Sequence, residues 1–221
     1  MIEIGVLAAL AGFAPDLAAP ARAEPVVLAG SLHRALGPAL LGFLFYAVPG
    51  FGVVQYYRQV QVFGFTPSEC GWLDLINNGA GLLALPCFFV LRRRVSLGRA
   101  LPICIGLYAL GSSLYMLYDR GFVAPLVEAG NGFLATFGLC AIQESAAKSA
   151  REQGGAGTLA LILCASNVGV VVSEVLGARI YVAAGRPFGP LVLSHCALYV
   201  LLALTLAASG GRWSWLRQVA A

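Results

Sequence analysis

A few amide and carboxyl side chains stand inside stretches that are otherwise apolar, and through them this chain could do chemistry. Gln55 follows a Pro49-Gly50 pair. Asp74, Asn77 and Asn78 form one cluster, Glu128 and Asn131 a second, with Gln143 and Glu144 beyond it. Asn167 and Glu174 stand seven residues apart, about two helical turns, and so share a helix face. Amides in such surroundings bond a neighbouring helix or a polar solute, because an unpaired polar group in an apolar medium costs kilocalories. A carboxyl shielded from water can in addition carry a proton near neutral pH. Asp74 and Glu174 are the acids considered for that role; either could equally sit at a solvated rim, where no coupling follows.

The elements that must position these groups are apolar blocks close to the length of a bilayer-spanning helix. Hydrophobic residues make up 59% of the 221-residue chain and charged residues 11%, while mean hydropathy is +0.83. That balance excludes an ordinary soluble domain, and nothing resembles a nucleic-acid-binding stripe. In lipid every backbone amide must be paired internally, so the blocks read as helices. The expected fold class is all-α, a polytopic bundle of six transmembrane helices at 35–55, 71–91, 100–118, 122–143, 155–182 and 188–209. Turn residues mark the joints: Thr66-Pro67-Ser68, Asp119-Arg120-Gly121, Gln153-Gly154-Gly155 and Gly185-Arg186-Pro187. Residues 1–34 form an N-terminal lead-in, amphipathic or loosely ordered, and 210–221 a cytoplasmic tail. The lead-in also carries a small-x-small Ala21-Arg22-Ala23, as at a signal-peptidase site, but it opens on an acidic Met1-Ile2-Glu3 where a signal peptide is basic.

Counted along alternating joints, ten of the 14 Lys and Arg fall on the side of the N-terminus, which places both termini in the cytoplasm; the membrane expected to hold the chain is the cell inner membrane. Trp72, Trp213 and Trp215 lie at block ends, where indoles favour the headgroup layer. Six cysteines show no CxxC spacing, and the two histidines, His33 and His195, lie at the edges of separate blocks. No nucleophile–base pair or metal cluster appears, so neither an enzyme nor a cofactor is expected.

Three features bear on how the helices meet. Gly169, Ser173 and Gly177 form a small-xxx-small stripe that admits a close neighbour. Gly79 and Gly81 follow Asn77-Asn78, and Pro49-Gly50 predicts a bend in the first span. Asn167 lies about 18 Å into its span, near the midplane, and Asn77 and Asn78 roughly 10 Å below the outer surface. Glu144 and Lys148 have the i,i+4 spacing of a helix-surface pair.

The order Val48-Pro49-Gly50-Phe51, Tyr56-Tyr57, Phe65-Thr66-Pro67-Ser68-Glu69 and Gly71, leading to Arg92-Arg93-Arg94, resembles the start of the second half of a major facilitator superfamily transporter. More narrowly it is similar to the folate-biopterin transporter family, whose penultimate span the stretch from Gly157 through Ser166-Asn167-Val168-Gly169 to Leu176-Gly177-Ala178 also resembles. The resemblance covers about 36–208 and implies two inverted three-helix repeats, half of a twelve-span fold. It implies a secondary transporter of a small polar solute, pterin- or folate-like; in such a transporter the amides inside the spans, Gln55, Asn77, Asn78, Asn131 and Asn167, are expected to line the path, with Asp74 or Glu174 as coupling acid. It also implies that the basic loop of Arg92, Arg93, Arg94 and Arg99 latches the two halves, although the acidic member of that motif is missing from the inner end of the second span. One half cannot enclose an alternating-access path, so a second six-span half is the expected partner, as a homodimer or a separate chain. The alternatives are a non-transporting scaffold or assembly subunit and a fragment of a twelve-span transporter.

Overall fold

A computed structural model of the chain describes residues 28–119, 121–153, 155–185 and 188–209. The expectations for 1–27, including Ala21-Arg22-Ala23, and for the tail with Trp213 and Trp215 lie outside the described residues.

Seven α-helices and one 3-10 turn account for most of the described chain, which contains no strand: α1 (Leu28–Tyr46), α2 (Gly52–Gln61), α3 (Pro67–Arg94), α4 (Leu97–Ser113) continued by the 3-10 turn Leu114–Leu117, α5 (Val123–Gln153), α6 (Ala156–Ala183) and α7 (Phe188–Ser209). Five helices, counting α4 with its 3-10 turn, are long and apolar enough to cross a membrane. They carry exposed Leu82, Leu83, Val171, Leu201 and Leu204 outward. That surface belongs to an integral membrane protein, since water would not tolerate it. The expected first span, 35–55, is instead two shorter helices. The chain leaves α1 at Tyr46 and re-enters a helix only at Gly52, because Pro49 has no amide to donate to the ladder and Gly50 weakens it further.

Local chemistry sets the ends of the elements. Thr66 caps α3 with a capping box: its hydroxyl accepts from Glu69 N at 3.3 Å while Glu69 Oε2 accepts from Thr66 N at 2.7 Å, with Pro67 in the first turn. Gly64, Gly121 and Gly185 take positive φ at the connections, a conformation that side chains resist.

Register between helices gives their directions. Gly42 meets Ser166, Gly169 meets Phe43 and Tyr46, and Gly177 meets Gly50, so α1 and α6 run parallel. Gly81 against Thr136 and Gly132 against Asn77 make α3 and α5 parallel as well. By contrast Tyr108 lies beside Tyr199 and Met116 beside Gly189, so α4 and α7 are antiparallel. This alternation is what successive membrane crossings produce.

Two large apolar cores stack along the bundle, beside a small cluster of Ala39, Ala146 and Ile162. One, around Phe45, Phe88, Leu101, Ile105, Phe137 and Tyr199, lies toward the end bearing Arg92–Arg94; the other gathers Phe51, Leu73, Tyr115, Val127, Leu191 and Val192. Lipid is as apolar as these side chains, so what favours their assembly is close packing rather than escape from water.

Candidate functional site

The break between α1 and α2 forms one wall of the site. Its carbonyls and amides fall outside any helix ladder in the middle of an apolar bundle, where each must find another partner. Ser173 Oγ donates to Val48 O at 2.5 Å, and Gly50 N donates to Ser173 O at 3.0 Å. His195 Nδ1 lies 2.8 Å from Pro49 O; a carbonyl only accepts, so the ring proton sits on Nδ1. Glu174 Oε2 accepts from Val53 N at 3.1 Å, setting a carboxylate on the free amides that open α2. Ser173 reaches the break because α6 can approach it there: a Cβ on Gly177 would overlap the carbonyl oxygen of Gly50.

On the far side of the break lies a buried carboxylate. Glu128, on α5, is 3% exposed. Its Oε1 accepts from Gln55 Nε2 at 2.6 Å and Gln59 Nε2 at 3.4 Å; its Oε2 accepts from Tyr115 OH at 2.6 Å and Asn77 Nδ2 at 3.0 Å. The donors come from α2, α3 and the 3-10 turn, so three segments converge on a side chain carried by a fourth, α5. Asn77 Nδ2 also reaches the Glu128 carbonyl at 3.1 Å. That contact depends on Gly132, where a Cβ would overlap the backbone of Asn77. Each of these donors is a neutral amide or hydroxyl, so fixed dipoles hold the carboxylate.

A second ring of contacts orients the first. Gln59 Nε2 donates to Tyr118 OH at 2.7 Å, and Asn131 Nδ2 lies 3.4 Å from Tyr115 OH. The 3-10 turn places Tyr115 and Tyr118 on one side because its side chains eclipse every three residues, and their rings stack with centroids 5.6 Å apart. Phe51 separates this cluster from the break, its ring edge-on to Tyr115 at 5.1 Å and to His195 at 4.8 Å.

Of the residues singled out from sequence, the structure brings Gln55, Asn77 and Asn131 together around Glu128. Asn78 adjoins them, and its Oδ1 is buried without a hydrogen-bond partner. Asn167 is exposed on α6 and Asp74 is exposed on α3 one turn before Asn77, and neither is among the hydrogen-bond partners of Glu128, while Glu174 sits at the start of α2. Sequence reasoning named Glu128 among the polar groups but not among the acids for coupling, and it passed over Gln59, Tyr115 and Tyr118. The available signals were the i,i+4 spacing of Gln55 and Gln59 and the i,i+3 spacing of the two tyrosines.

At the opposite end Arg92 makes a fork-like pair with Glu144, Nε to Oε2 at 2.7 Å and Nη2 to Oε1 at 2.8 Å, and also donates to Val95 O. Glu144 thus reaches across to α3, an interaction beyond the i,i+4 spacing with Lys148. Arg93, Arg94 and Arg99 are exposed. Gln143 Nε2 lies 3.4 Å from Tyr46 OH.

Comparison with known proteins finds no matching family model, curated protein or solved structure.

Proposed function

We propose that this chain is one half-unit of a membrane transporter, moving a small polar solute of pterin or folate type by alternating access with a second six-span half. The observation that carries the reading is the Glu128 cluster: a buried carboxylate in an apolar bundle, held by amides from α3 and from α2, the helix that opens after the broken segment, and by the Tyr115 hydroxyl. Ionisable groups at such positions are retained for binding or proton transfer far more often than for stability, and broken helices commonly border solute sites. In this reading Glu128 is the coupling or solute-binding acid, in place of Asp74, which is exposed, and Glu174, which caps α2. Gln55, Asn77 and Asn131 offer the hydrogen bonds that a polar ring system would exchange for those within the cluster.

The packing pattern supports the half-unit. Exchanging the first three segments for the last three turns the α3–α5 pairing into α6–α1 and returns α4–α7 to itself, and all three pairings are present. An inverted repeat has that symmetry. It is broken between α4–α5, which is extensive, and α7–α1, which rests on Tyr199 against Phe45 and His195 against Pro49. The bias of Lys and Arg along the joints supports an orientation with both termini cytoplasmic.

A scaffold reading has its own support in the completeness of the hydrogen bonds around Glu128, which fixes a unique bundle without any ligand. The test is the mass and composition of the assembly drawn from its own membranes in mild detergent, followed by uptake of labelled pterin and folate into vesicles holding that assembly. A two-half assembly whose uptake is lost in Glu128→Gln supports transport. A lone monomer, or a stable assembly without uptake, leaves the scaffold.

A further inference from the structure

The end of α3 opposite the Glu128 cluster carries a groove of about 480 Å³ lined by Pro86, Phe89, Val90, Arg92, Arg93 and Glu144. Its composition changes along its length. Phe89 and Val90 are exposed apolar side chains on the membrane-spanning part of α3, and Arg92 and Arg93 stand where that helix ends. Pro86 and Arg93 are seven residues apart, about 10 Å along the axis, so the groove runs from hydrocarbon depth to headgroup depth.

The charges are unevenly committed. Glu144 is the one acid in the wall, and both of its oxygens are taken by Arg92. Arg93 is exposed at the rim, next to exposed Arg94, with Arg99 following at the start of α4. The groove therefore offers an apolar floor, one neutralised ion pair and a surplus of positive charge at one end. We infer that this groove binds an anionic phospholipid of the leaflet on the arginine side, with the phosphate on Arg93 and the first methylenes of one acyl chain along Phe89, Val90 and Pro86. Charge complementarity selects the headgroup: a phosphate with a net negative charge gains from Arg93, whereas a zwitterionic lipid brings its own cation to a site that already has one. The apolar floor selects a lipid over a free anion, because an ion in water gains nothing from Phe89 or Val90. The inference does not depend on what, if anything, the chain transports.

The test uses the delipidated full chain in mild detergent, offered equimolar phosphatidylglycerol and phosphatidylcholine of the same acyl chains, with bound lipid counted by native mass spectrometry. The chain should carry one phosphatidylglycerol in preference to phosphatidylcholine, and Arg93→Gln should lower that occupancy about fivefold. Val90→Trp, which fills the groove and keeps every arginine, should lower it as well. Arg179→Gln removes an exposed arginine from the opposite end and should leave it unchanged. Equal occupancy by the two lipids, retention in Val90→Trp, an equal loss in Arg179→Gln, or displacement by millimolar inorganic phosphate would each overturn the assignment.

Discussion

Replacing Glu128 tests whether three segments really converge on the carboxylate of a fourth. In Glu128→Ala the amide of Gln55 and the hydroxyl of Tyr115, each 2.6 Å from the carboxylate, lose their acceptor inside the bundle. Two other donors lose less: Asn77 keeps the backbone carbonyl at position 128, and Gln59 keeps Tyr118 OH. A buried donor left without an acceptor costs about 1–3 kcal/mol. Two of them give about 2–6 kcal/mol, which for a chain of this size lowers an unfolding midpoint by roughly 8–16 °C at the middle of that range. Glu128→Gln keeps one carbonyl oxygen for Gln55 and turns an amide toward Tyr115, whose hydroxyl can rotate to accept; its loss should be about 1–2 kcal/mol. The assay is the apparent melting midpoint in detergent, read by tryptophan fluorescence and by loss of the monodisperse elution peak. An alanine variant within about 2 °C of the parent would refute the burial of the carboxylate, and a glutamine variant as damaged as alanine would refute the account in terms of neutral donors.

Other perturbations separate close packing from open space. Gly132→Ala drives a methyl into the backbone of Asn77 and should cost about 3 kcal/mol, whereas Gly79→Ala, on α3 with open space around it, should be neutral or gain up to about 1 kcal/mol; thermal midpoints of the two variants decide this. A double-mutant cycle on Arg92→Gln and Glu144→Gln should return a coupling of about 1 kcal/mol, because the pair is bidentate yet partly exposed. Additive losses would refute a coupled pair. Asn167→Ala should leave the midpoint of the isolated chain unchanged, since Asn167 is exposed there; if a second half covers that face, the same variant weakens the assembly measured by its mass in mild detergent.

Much of the architecture was legible because the bilayer restricts the choices so severely. The blocks at 71–91 and 188–209 fall inside α3 and α7, those at 122–143 and 155–182 begin one residue before α5 and α6, and the block at 100–118 overlaps α4 with its 3-10 extension. An apolar run of sufficient length has one way to satisfy its backbone, so length and hydropathy sufficed. The first span was less legible. Pro49-Gly50 signalled an interruption, but whether the chain bends or breaks depends on partners elsewhere in sequence that can accept its stranded groups. Those partners, Ser173, Glu174 and His195, lie more than 120 residues away. The Glu128 cluster was hidden for the same reason. Periodicity assigns a residue to a face of its own helix, but it is silent on which other helix that face meets, and Gln59 lies beyond the apolar block that drew attention to Gln55.

Ser173 and Gly177 show that packing and hydrogen bonding at the break are one device. Read from sequence, Gly169, Ser173 and Gly177 are a stripe of small residues whose purpose is close approach, and all three are buried. At the break, close approach is also what lets Ser173 supply both a donor to Val48 O and an acceptor for Gly50 N. Gly50 in turn has room for no Cβ, because one there would press on Ser173 Oγ and Glu174 Oε1. Enlarging Gly177 must push α6 off the break and so stretch the Ser173 bonds before any other contact. Gly177→Ala should therefore cost about 3 kcal/mol by overpacking and Ser173→Ala about 1–2 kcal/mol for the stranded Val48 carbonyl. The double variant should fall short of their sum by about 1 kcal/mol, since the bond lost in one has already been lost in the other. Strict additivity in melting midpoints would show that α6 yields without leaving the break, and that the stripe acts through packing alone.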